Sequence, residues 1–278
     1  MDRHLVLRFA LTLSLLGGLL LPAAMDAAPI TVSAAGVVAT DLQATVEGFR
    51  TALGDPNNMN APGPLSAGRR EINWDGGGAT TPSLGSTPFT VFQDTRGATM
   101  TTPGTGFIQA SPADLGTQFG NATYATSFAA FSLQRLFVPI GSNVTDITFS
   151  TPGSGGAQPA FVSDFGAIFS DVDTNATTMQ FFSPIGTPLG TFGAPSLPGD
   201  ARFSFIGVLF NAGEQIGRIR ITTGSGALGP NDGPLFDAVA MDDFIYSEPV
   251  PEPGTLALVV LGLSGLVAFG RNRRPIRD

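Results

Sequence analysis

The sequence predicts an all-β fold, a jelly-roll-like β-sandwich, with one N-terminal amphipathic helix and a C-terminal transmembrane helix. Three observations point there. Short apolar stretches recur from residue 89 onward, some alternating strictly. Turn sequences such as PGSGG, DTNAT and LPGD separate them at short intervals. Twenty-two phenylalanines in 278 residues supply bulky core material with little helical periodicity.

The elements follow in chain order. Arg3 and Arg8 flank an n-region, FALTLSLLGGLLL is an apolar run, and small residues follow it. Residues 1–28 therefore read as a signal peptide, cleaved between Ala24 and Ala28. In residues 40–55, Leu42, Val46, Phe49 and Leu53 fall at helical spacing. Thr40 with Gln43 reads as a capping box, and Gly54 closes the helix. Residues 55–88 are rich in Pro, Gly and Asn and read as loops with one short strand around Ile72. RIRIT (218–222) alternates as a strand with one wet face must. AFVSDFGAIFSDV puts Phe161, Phe165 and Phe169 on one parity, and RFSFIGVLF is apolar on both, as expected of a central strand. Further strands are expected at 89–92, 106–109, 128–132, 134–138, 144–150, 178–182, 189–192 and 239–246. The sandwich domain spans residues 29–248 and a tail spans 249–278.

Composition excludes several functions. Residues 29–248 hold eight arginines and eighteen carboxylates, a formal charge of −10. Such a surface repels nucleic acid and anionic lipid. The chain has no Cys and no Lys, and its one His, His4, lies in the signal peptide. A Ser-His-Asp triad, a Ser-Lys dyad, a cysteine nucleophile and a His-ligated zinc therefore cannot be assembled. Carboxylates remain, for acid/base work or for hard cations.

Four short motifs bear on chemistry. GSGALG (224–229) matches a nucleotide-binding glycine pattern, but PNDGP follows where a helix would have to start, so it reads as a loop. SDVDTNATT places Asp171, Asp173 and Asn175 at alternate positions, three oxygen ligands that can converge on a structural Ca²⁺. An Asp/Asn turn at a strand end explains the same letters. An EF-hand is excluded, because Ala176 and Phe182 stand where it needs Gly and Glu. MDDF carries adjacent Asp242 and Asp243 in the closing strand; strict alternation sends them to opposite faces. Closing strands with adjacent acids resemble those of jelly-roll carbohydrate-binding modules, some of which hold Ca²⁺. Finally, REINWDGGG offers Glu71 and Asp75 as a glycosidase carboxylate pair and Trp74 as a sugar platform.

The tail carries the most specific signal. Residues 255–270 form an apolar run of sixteen residues, about 24 Å as a helix against a hydrocarbon core of about 30 Å. Arg271, Arg273 and Arg274 follow and fix the orientation, with the main domain outside. The order VPEP, short apolar run, RNRR resembles the PEP-CTERM sorting signal. The resemblance implies Pro251, Glu252 and Pro253 as the recognition motif, residues 255–270 as a transient membrane anchor, and the three arginines as the stop signal. It implies an exosortase-like membrane protease as partner and delivery to the cell surface or extracellular matrix. The expected function is a non-enzymatic structural or adhesive role linked to extracellular polysaccharide. The alternatives are a Ca²⁺-dependent carbohydrate-binding module and a carboxylate-only glycosidase.

Overall fold

The structure is a computed structural model that describes residues 28–76, 78–233, 235–252 and 254. Among them the chain runs β1 (Ile30–Gly36), α1 (Ala39–Leu53), β2 (Arg69–Ile72), β3 (Ser83–Gly85), β4 (Ala98–Thr101), β5 (Gly106–Ala110), α2 (Pro112–Phe119), α3 (Tyr124–Ser127), β6 (Leu136–Ile140), β7 (Val144–Ser150), β8 (Pro159–Phe161), β9 (Asp164–Ser170), β10 (Thr178–Phe182), β11 (Pro188–Gly193), β12 (Phe203–Leu209), β13 (Arg218–Thr222), β14 (Ala240–Ser247) and β15 (Val250–Pro251). The signal peptide and the 255–270 segment lie outside the described residues. No helix among those described is long and apolar enough to cross a membrane.

Two antiparallel sheets form the body. One has the order β1-β12-β9-β14-β6-β5-β3, with β2 also on β14; the other is β11-β10-β13-β7-β8-β15, with β4 also on β7. Inward residues of both make one core, from Phe165, Phe169, Ile206 and Phe244 on the first sheet to Ile147, Phe181, Ile219 and Ile221 on the second. In β13 only Ile219 and Ile221 are buried, so RIRIT keeps the expected wet face.

The first sheet is also covered on its outer face. Leu42, Val46 and Phe49 of α1 pack on Ile168, Phe203, Phe205 and Ile245. Leu115 and Phe119 of α2 and Tyr124 of α3 pack on Ile108, Leu136 and Val138. The cover by α1 on this outer face is why β12 is apolar on both parities. Gly166 of β9 and Gly207 of β12 are register partners. A Cβ on Gly207 would stand 2.5 Å from the Phe49 ring, so the glycine pair forms the notch that seats that ring.

Several expectations need correction. The α1 N-terminus is capped by Asp41, whose Oδ2 accepts from the Val37 and Val38 amides at 2.8 and 3.1 Å, and not by Thr40 with Gln43. Gly54 does close the helix, donating to the Arg50 and Thr51 carbonyls. Residues 89–92 form no strand: Phe89 makes one bridge to Met100, and the chain then turns through Gln93 N to Thr90 O and Arg96 N to Phe92 O. Residues 128–132 also form none, because Ala129 N and Phe131 N donate to the side chains of Ser170 and Asp242 rather than to a neighbouring strand. The stretch around Phe161 splits into β8 and β9, which belong to different sheets, so Phe161 leaves the parity shared by Phe165 and Phe169. Strands β1, β3, β4 and β15 and helices α2 and α3 fall where the sequence predicts neither strand nor helix.

Candidate functional site: the acidic interior and the sorting strand

A β-bulge builds the first acidic group. Along β14 the register runs Met241 to Phe169 and then Phe244 to Ala167, so two residues oppose one. Met241 and Phe244 both enter the inter-sheet core. Asp242 and Asp243 are thereby both left to the other side, and both are buried. Strict alternation does not hold where the extra residue sits.

Asp242 Oδ2 accepts from Phe131 N at 2.6 Å. The Ser132 hydroxyl lies 2.7 Å from Asp243 Oδ1 and 3.3 Å from both Asp242 Oδ1 and Asp75 Oδ2. A hydroxyl has one hydrogen, so it serves one of these carboxylates at a time. Burial, with the Asp243 charge beside it, pushes the Asp242 carboxyl well above the usual carboxylate range. Burial also raises Asp243, against the pull of Ser132 and the Arg50 guanidinium. Two like charges in a dry site repel, so the two carboxyls titrate as a pair.

The proposed glycosidase residues flank this group. Trp74 is completely buried, its ring stacked 3.9 Å from Phe137 and its indole N–H donating to Asp242 O at 2.7 Å. It therefore presents no face to a sugar. Glu71 accepts from Arg50 at 2.8 Å and from Arg69 at 2.7 Å. Asp75 Oδ1 accepts from the Gln134 and Arg135 amides at 2.8 and 3.0 Å. Both carboxylates are engaged in holding the loop–sheet junction.

The second acidic group surrounds the predicted cation ligands. Asp171 follows β9 with φ 71°, a left-handed conformation that Asp tolerates better than most residues. The residue is 5 % exposed, and its Oδ1 has no hydrogen-bond partner among the described residues. Burial and the charges of Asp173, Asp200 and Asp237 push its carboxyl up to about 8. Asp173 Oδ1 accepts from Gly199 N at 2.7 Å, and Asp237 takes the Asp173 and Thr174 amides and the Thr174 hydroxyl. Asn175 is exposed. The two additional acids, Asp200 and Asp237, are distant in sequence and left no local signal. Among the described residues no three acidic side chains stand spaced to hold a metal ion.

At the C-terminal end of the body, Glu248 is gripped by Arg70 through two bonds of 2.6 Å. Its carboxylate also accepts from Asn58 Nδ2 and Leu65 N. Arg70 is fully buried, and its Nη1 donates to the Met59, Ala61 and Thr95 carbonyls. Immediately beyond, Val250 pairs with Phe161 and Pro251 with Ala160, and Glu252 N donates to Pro159 O at 3.1 Å. Glu252 also borders a cleft of about 410 Å³ with Pro184, Gly217 and Arg218. Pro253, Arg271, Arg273 and Arg274 lie outside the described residues.

Fold and site together define an antiparallel two-sheet protein whose final strand runs directly into a Pro-Glu-Pro segment. Residues 249–274 match the PEP-CTERM protein-sorting motif, and no other family matches the body. No curated protein and no solved structure matches the chain. The motif marks an exported protein, bound for the surface or the extracellular space and processed by an exosortase, which is a membrane protein.

Proposed function

We propose that this protein is a non-enzymatic structural or adhesive component of the cell surface or matrix, associated there with extracellular polysaccharide. Residues 255–270 hold it transiently in the membrane while the tail is processed. The observation that carries this reading is the sorting motif joined to a body whose candidate catalytic side chains are committed elsewhere: Glu71 to two arginines, Asp75 to two amides and Trp74 to the core. The test is to delete the gene in the native host and fractionate the wild type in parallel. Wild-type protein is expected in the surface or matrix fraction, and the deletion is expected to weaken retention of polysaccharide or cell cohesion. Protein confined to the periplasm, or sugar released from the host polysaccharide by the purified domain, would overturn the reading.

A second reading, a Ca²⁺-dependent carbohydrate-binding module, is favoured by one observation, the unpartnered buried oxygen of Asp171 amid three other acids. Ca²⁺ binding there requires Asp173 or Asp200 to turn inward as a further ligand. Melting temperature with Ca²⁺ and with a chelator decides it: a rise with Ca²⁺ at pH 8 that Asp171→Asn abolishes supports the site, and no rise removes it.

A further inference from the structure

We propose that the folded body gates the processing of its own tail: β15 must leave β8 before the Pro-Glu-Pro motif can be gripped by the membrane peptidase. The inference rests on the reading of residues 249–274 as a processed sorting signal.

The sorting motif does not hang free. Its first two residues are docked to the edge of the second sheet, with Val250 opposite Phe161, Pro251 opposite Ala160, and Glu252 N bonded to Pro159 O. Peptide-binding proteins commonly take an extended segment by main-chain pairing, as an added strand. β8 already occupies the main-chain groups that such a partner would use. One segment cannot pair with β8 and lie in a peptidase cleft at once, so the two compete.

Length sharpens the competition. Between Glu252, the last residue bonded to β8, and the apolar run starting at residue 255 there are three steps, at most about 11 Å of extended chain. A docked motif therefore lies between the sandwich and the bilayer with little room for a second protein. Release changes this. The Arg70–Glu248 clamp, reinforced by Asn58 and Leu65, stops peeling at residue 248. Undocking then frees residues 249–254, about 20 Å when extended, while β14 stays in its sheet. The latch is built to open: β15 spans two residues, and Pro251 has no N–H to give.

The test uses the absence of native cysteine. In the full-length chain, expressed with an exosortase, Val250→Cys and Phe161→Cys place two thiols on directly paired positions of the outer face. The oxidised double variant is expected to be processed at least tenfold more slowly than the same protein reduced, with mass spectrometry of the C-terminus as readout. Equal rates in the two redox states would overturn the proposal. If neither state is processed although the wild type is, Phe161→Gly decides, since it weakens the latch without touching the motif. Faster processing than wild type upholds the latch, and an unchanged or slower rate overturns it. A wild-type chain left uncut overturns the sorting reading and the latch with it, which distinguishes that failure from one confined to the latch.

Discussion

Asp171 keeps a proton that an ordinary aspartate has lost at neutral pH. Its carboxyl is raised from 3.8 to about 8 by burial and by three neighbouring acids. The folded chain thus binds a proton that the unfolded chain releases, and stability falls as pH rises across that window. Asp171→Asn keeps the shape, tolerates the left-handed backbone and removes the titration. In the absence of Ca²⁺ the variant is expected to melt above wild type at pH 8 and to match it near pH 4, as measured by circular dichroism; a wild-type curve flat from pH 4 to 8 would refute the assignment. A different constraint acts at Gly207, where an added methyl meets the Phe49 ring at 2.5 Å. Gly207→Ala should cost about 1–3 kcal/mol by overpacking, read from urea denaturation.

Helix α1 and strand β14 show how much of the architecture could be read in advance. The helix was legible because Leu42, Val46 and Phe49 repeat at the spacing that a single buried face imposes. Strands β7, β10 and β13 were legible for the corresponding reason, a period of two against one core. The bulge in β14 was not, because an extra residue leaves no trace in composition and shows only against the partner register. For the same reason the sequence paired Glu71 with Asp75, while the folded chain sets Asp75 beside Asp242 and Asp243 around Ser132. The four-residue strand β4 and the three-residue strands β3 and β8 are too short for any periodicity to register. Two variants test the elements. Phe49→Ala should cost about 3–5 kcal/mol, since α1 loses the ring that seats it on β9 and β12. Arg70→Ala should cost about 3–5 kcal/mol by stranding the Glu248 carboxylate and three carbonyls, and it should also expose residues 55–68 to proteolysis.

At the scale of the molecule, an acidic sandwich with its outer face roofed by helices is joined to a tail that specifies export. The sorting motif was legible because it is a linear signal, read by a partner as consecutive residues. The acidic groups required the fold, since their members come from four separate regions of chain. Replacing Pro251, Glu252 and Pro253 together with alanine should leave the melting temperature of the body within about 2 °C while abolishing its appearance outside the membrane fraction. Loss of folding in that variant would show that β15 is part of the stable core rather than an appendage.

The position of β14 has a consequence for how the protein matures. Strands β1, β12 and β9 lie to one side of it and β6, β5 and β3 to the other, and among the described residues β14 is the strand that pairs the two groups into one sheet. A chain that emerges N-terminus first therefore cannot close its first sheet until residues 240–247 are out, only a few residues ahead of the sorting motif. Every other strand of that sheet is out before the keystone strand arrives. The body thus first becomes able to fold just as its sorting motif is about to appear, so closure of the sheet and display of the motif are coupled in time.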